Sequence, residues 1–259
     1  SRTDCTPETH DPDSRMKAFI VAICCTPLIA AADTGWIELG TDYQRYSNGF
    51  SSAQNHTVSG SLKQATRTLY GEVSDYHRGN AHDSPVQLGL YQNITASGQL
   101  HVEGTWTANP MLKPEHQEYV GWYQTLPAGW TIEPGYQWTS YNTVDVEKAS
   151  IIAEKYWQAF RFSYGAARVT LNGESAVNHR LQADWFYRDN NKLSAGIARG
   201  DDQEVLDTGL VIQTPVSNYF LAGEHSIAKH WHVLWQLQHT DQGDIYRQQG
   251  ARFGIRCQF

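Results

Sequence analysis

Ionisable side chains recur along this chain at positions of one parity, with apolar residues between them. The main set is Glu38 and Asp42, Glu72, His101 and Glu103, Glu133, Arg161, Arg180 and Asp184, and Arg252 and Arg256; Arg78, Lys192 and Glu224 join it. Residues two apart on an extended chain share a face, so the spacing gathers charge on one side of a series of strands. Both signs are present in near balance. Such a face suits either of two chemistries: cross-strand ion pairs that brace a wet interior, or a polar track that selects among charged solutes or sugars.

Sets that could do covalent or metal chemistry are weaker. His225-Ser226 pairs a base with a nucleophile in sequence, but neighbours on a strand point to opposite sides. Glu224 shares the face of Ser226, with no histidine expected beside them. Of His225, His230, His232 and His239, only His230 and His232 share a face at strand spacing, and no acid or thiol accompanies them. Turn or interfacial histidines are the expectation, not a ligand set. Asp201-Asp202, with Glu204 and Asp207, lacks the spacing and glycine of an EF-hand loop and reads as a solvated acidic loop. No catalytic residue, metal site or cofactor is expected.

The elements that carry these residues are strands. Trp 9, Tyr 14 and Phe 8 supply strand formers, and alternating segments of about ten residues follow one another from Thr34 onward. They lie near 35–46, 55–65, 68–78, 86–95, 99–107, 115–125, 130–141, 147–156, 159–169, 177–188, 191–200, 215–227, 230–240 and 246–259. The clearest sets Leu100, Val102, Gly104 and Trp106 against His101, Glu103 and Thr105. Ala149–Tyr156 and Tyr219–Ile227 are apolar on both faces, which keeps a twelve-strand count open beside fourteen. Short turns (65–67, 96–98, 126–129, near Trp157, 189–191, 228–229) alternate with longer polar links (47–55, 79–85, 108–114, 142–146, 171–176, 201–214, 240–244). An antiparallel meander puts alternate connections at opposite ends, and short turns at one end are the rhythm of a bacterial up-and-down membrane barrel. Trp36, Tyr43, Trp106, Trp122, Trp138, Trp185, Tyr187, Trp231 and Trp235 are assigned to the outer face as interfacial girdles. The tyrosines Tyr70, Tyr76, Tyr91, Tyr119 and Tyr123 then point inward.

The two ends fit this reading. Met16-Lys17, the apolar run Ala18–Ala30 and the small residues Ala30-Ala31-Ala32 have the layout of a secretory signal peptide. Residues 1–15 are then an upstream extension, 16–32 the signal peptide and 33–259 one barrel domain. Residues 1–32 carry Arg2, Arg15 and Lys17 against Asp4, Glu8, Asp11 and Asp13, so the remainder has a net charge of −6. That balance excludes a nucleic-acid binder, which needs a basic footprint. One cysteine, Cys257, remains, so no internal disulfide forms. No run from Asp33 onward approaches the 18 apolar residues of a membrane helix, which leaves a closed barrel as the spanning structure.

At the other end Arg252-Phe253-Gly254-Ile255-Arg256-Cys257-Gln258-Phe259 alternates without a break. A polar residue, Gly254, and a final aromatic two residues beyond Cys257 resemble the β-signal of outer-membrane barrels. That resemblance implies that Gly254, Cys257 and Phe259 are read by barrel-assembly machinery. The chain as a whole resembles the YaiO family of outer-membrane β-barrels, through Leu39-Gly40-Thr41-Asp42-Tyr43, Ser194-Ala195-Gly196-Ile197-Ala198-Arg199-Gly200 and the terminal strand. The family likeness implies a location in the bacterial outer membrane among its lipids and a setting in exopolysaccharide export. It brings no catalytic residues. The expected function is a narrow pore or transport accessory for polysaccharide or small solutes; a structural or adhesion barrel is the alternative, and an outer-membrane enzyme comes last. A further expectation is that barrel closure sets Glu38 or Asp42 beside Arg252 or Arg256.

Overall fold

The computed structural model describes residues 33–188, 191–205 and 211–259. Its strands are β1 (Thr34–Tyr46), β2 (Ala53–Gln64), β3 (Arg67–Arg78), β4 (Ala81–Asp83), β5 (Pro85–Asn93), β6 (Gly98–Thr107), β7 (His116–Leu126), β8 (Trp130–Ser140), β9 (Asp145–Trp157), β10 (Phe160–Leu171), β11 (Glu174–Tyr187), β12 (Asn191–Val205), β13 (Val211–Ala228), β14 (Trp231–Gln242) and β15 (Tyr246–Gln258). Chain neighbours pair antiparallel, with β4 and β5 both set against β3, and β15 returns to pair with β1. The three-residue β4 and the longer β5 are two halves of one barrel strand. Tyr76 pairs with Asp83 and Val73 with Val86 in one unshifted register, and the break at Ser84 falls where Pro85 has no N–H to give the ladder. The barrel is therefore closed and has 14 strands. The two segments with mixed faces became the full strands β9 and β13, which removes the twelve-strand count. The extension 1–15 and signal peptide 16–32 lie outside the described residues.

Alternation sorts the faces. Glu38 is 3% exposed and its neighbour Leu39 61%, so the charged parity points inward and the apolar parity forms an outer belt that includes Ile37, Val58, Val73, Leu88, Val102 and Val120. Tyr43, Trp106, Trp185 and Trp231 lie on that outer face as expected. Trp36 does not. It shares the parity of Glu38, and its ring lies under the Arg256 guanidinium, 4.4 Å from carbon to centroid.

The expected contrast of short and long connections is only partly present. Between β10 and β11 the polar run 171–176 is a two-residue hairpin, with Leu171 paired to Glu174. Asn172 (φ 51) and Gly173 (φ 84) both take the left-handed conformation that this tight turn requires. The link 201–214 is mostly strand as well: β12 and β13 remain paired from Asp201–Pro215 to Val205–Val211. Asp207, in the acidic loop reading, lies outside the described residues.

Candidate functional site

The site is the inner wall of the barrel. At the seam Asp42 pairs with Arg252 and Glu38 with Arg256 in register. The Glu38 carboxylate accepts from Arg252 Nη2 at 3.0 Å and from Arg256 Nη2 at 2.8 Å, while Asp42 lies 3.7 Å from Arg252. The expected pairing of the first and last strands is present. Arg256 also donates to Glu224 at 2.9 Å, and Glu224 lies 3.8 Å from Lys192. Gly254 leaves room for this packing, since a Cβ there would stand 3.1 Å from Glu38 Oε1 and the carboxylate would have to shift slightly.

The wall built by β3 to β8 balances its acids differently. Tyr70 donates to Glu103 at 2.5 Å, and its hydroxyl is 2.7 Å from His101 Nε2. His101 Nδ1 and the Tyr119 hydroxyl converge on Glu133 Oε1, each at 3.0 Å. The Tyr91 ring stacks on His101 with centroids 4.0 Å apart. Glu72, also inward, accepts from Ser74. Tyr76 and Tyr123 share the inward parity of Tyr70 and Tyr119, as expected.

A third group joins β9 to β12. Asp184, fully buried, accepts from Arg161, Gln182 and Ser194, and Arg161 also lies 3.2 Å from Glu154. Arg180 differs from Arg161, Arg252 and Arg256, which pair with carboxylates. It donates to Gln182 at 2.7 Å and lies over the Phe220 ring.

The end of the barrel away from Thr34 and Gln258 carries an inward-packed loop. The buried Asp83 accepts the backbone N–H groups of Met111, Leu112 and Lys113 at 2.7, 2.8 and 3.0 Å. This draws loop 108–115 inward. Leu112 packs with Ala53 and Tyr76, the Lys113 ammonium sits 3.9 Å over the Tyr76 ring, and Arg78 lies over Tyr46. Val211 packs with Val146, Val169 and Leu171 at the same end. Asp83 was not legible in sequence, since its partners come from a loop nearly thirty residues away. Below this mouth lie polar cavities of about 670, 630 and 240 Å³. The first shares Thr68 and Tyr91 with the second, and Leu234, Gln236 and Arg252 with the third. A larger furrow of about 900 Å³, among Trp130, Phe162, Leu181 and Tyr219, is apolar and lies on the outer face.

The histidines moved most against expectation. His232 faces inward, directly across from Ser226, with Nδ1 3.8 Å from Glu224. A histidine therefore does stand beside Ser226 and Glu224, because β14 brings it there. Among the described residues neither of its ring nitrogens has a hydrogen-bond partner, and Ser226 Oγ donates to the Ala228 carbonyl instead. His225 faces outward, where Trp235 Nε1 donates to its Nε2 at 2.9 Å and the Tyr187 hydroxyl meets its Nδ1 at 2.7 Å. The terminal residues are held in the seam. Cys257 pairs with Ile37, and Phe259 exchanges both backbone hydrogen bonds with Gly35, each at 2.9 Å. Its ring covers that glycine so closely that a Cβ would be 2.7 Å from it.

Closed antiparallel topology, an apolar exterior and an ionised interior define an outer-membrane barrel. Residues 35–202 match the YaiO membrane beta barrel domain, and the chain belongs to that family. No curated protein sequence matches it. The CymD monoaromatic hydrocarbon channel superposes with a TM-score of 0.62 at 10% identity, covering 90% of each chain. A bacterial polysaccharide outer membrane secretin gives 0.55 at 8% identity over 87% of this chain and 99% of that one. The KdgM porin in complex with disordered oligogalacturonate gives 0.50 at 7% over 86% and 99%. At these identities the likeness is one of fold. The protein resides in the bacterial outer membrane.

Proposed function

We propose that this barrel is a narrow pore for small hydrophilic solutes of sugar size, and not an enzyme. The observation that carries the reading is the run of polar cavities that share walls along the interior. Ionised groups line them, and loop 108–115, held by Asp83, restricts the mouth. Barrels of eight strands fill with side chains while those of sixteen to eighteen leave a channel, so fourteen strands with an inward loop suit a restricted passage. Tyrosine faces on one wall and arginines on the other would receive the ring and the acidic or hydroxyl groups of a sugar. Two of the fold relatives point the same way, one a porin in complex with oligogalacturonate and the other a polysaccharide secretin. The outer belt meets lipid, and the last strand is the segment read by assembly machinery.

Single-channel recording of the full-length protein in planar bilayers tests this. The expected result is small, discrete conductance steps that galacturonate oligomers reduce. Asp83→Ala removes the acceptor of three backbone donors, frees the loop and should raise the step size. Silent bilayers for both proteins, with folding shown by heat-modifiable migration, would refute the pore.

A further inference from the structure

We propose that Asp75, His77 and His82 form a divalent transition-metal site on the outer rim of the β3–β4 hairpin. The hairpin builds it locally. Arg78 pairs with Ala81 across Gly79-Asn80, where Gly79 (φ 60) takes the conformation that a tight turn needs at its first position. The next pair is His77 opposite His82. Asp75 lies two residues before His77 and so on the same face. Their rings are stacked, with centroids 4.2 Å apart and planes within 5°. This turns both Nε2 atoms toward one carboxylate: His82 Nε2 is 2.6 Å from Asp75 Oδ1 and His77 Nε2 is 3.2 Å from Oδ2.

Three donor atoms, one from each residue, all lie within 4.8 Å of one another. Zinc binds imidazole nitrogen and carboxylate oxygen at roughly 2.0–2.2 Å, so the stacked rings must splay by side-chain rotation for both Nε2 atoms to meet one ion. Two imidazoles and a carboxylate suit Zn²⁺, Cu²⁺ or Ni²⁺ in preference to Ca²⁺ or Mg²⁺. Elsewhere, exposed histidine–acid contacts pair one ring with one carboxylate, as at His116–Glu115 and His239–Asp241, each 3.5 Å. Among the described residues this hairpin is where three such groups converge. All three side chains are about half exposed, so an ion would enter from solvent and keep water in its remaining positions. The spacing Asp-x-His-x4-His around Gly79-Asn80 is the sequence signal for it. The histidines weighed from sequence lay elsewhere, and the pairing of His77 with His82 makes the difference.

Zn²⁺ titration of the tag-free, full-length protein in detergent, followed by calorimetry, tests the site. One Zn²⁺ per barrel is expected, with affinity reduced roughly tenfold or more by His82→Ala and by His77→Ala, since each removes a ligand. Asp75→Asn should weaken binding, and His239→Ala should leave it unchanged. Cu²⁺ electron paramagnetic resonance should show nitrogen coupling that His82→Ala reduces. Absence of stoichiometric Zn²⁺ binding in the wild type, or equal binding in both histidine variants with the barrel folded, would overturn the proposal.

Discussion

The seam and the β3–β8 wall stabilise inward carboxylates by different means. At the seam the partners are full charges: Glu38 lies between Arg252 and Arg256, and Arg256 reaches on to Glu224. Across the β3–β8 wall the partners are tyrosine hydroxyls and one imidazole, arranged around Glu103 and Glu133. Ion pairs are strong in a low-dielectric interior but leave an uncompensated charge when one partner is lost. Hydroxyl donors contribute less each and fail more gently. The difference follows from what each region must do. The seam joins two strands about two hundred residues apart in sequence, and matched opposite charges penalise a slipped register. The other wall is made of successive hairpins whose register their turns already set, so it can present aromatic surface to the interior.

Three experiments sharpen the contrast, from the largest expected effect to the smallest. Phe259→Ser removes the ring that covers Gly35 while keeping the backbone pair. Assembly in cells should be lost, read as disappearance of the heat-modifiable folded species from outer membranes. Normal levels would show that the seam needs no aromatic end. Glu38→Ala leaves Arg252 and Arg256 facing each other without their shared acid. Breaking a buried pair costs about 3–5 kcal/mol, and water in the interior should bring the loss to about 3 kcal/mol, measured by urea unfolding in vesicles. Tyr119→Phe removes one donor from Glu133, whose other donor, His101, remains. A loss of about 1 kcal/mol is expected. If Tyr119→Phe costs as much as Glu38→Ala, the two walls do not differ as described.

Much of this was legible in the chain. Period-two alternation located every barrel strand and put Glu38, Asp42, His101, Glu133, Asp184 and Arg256 on one side, because a strand has only two faces. Closure of the barrel sets the first strand beside the last and an even strand count makes that seam antiparallel, which is why the seam pairing could be expected. Trp36 was misplaced because its aromatic type outweighed its parity with Glu38. Asn172-Gly173 is a local hairpin signal that a polar run concealed.

Sequence by itself therefore determined the strands, their two faces and the family of the barrel, since each depends on residues a few positions apart. Tertiary structure alone decided which groups meet across strands. It put His232 opposite Ser226, hung loop 108–115 on Asp83, and turned His77 and His82 toward Asp75. Those contacts depend on register and on inter-strand distance. A one-residue slip would reverse every face, and a periodic pattern records the faces without recording which residue of the next strand lies opposite.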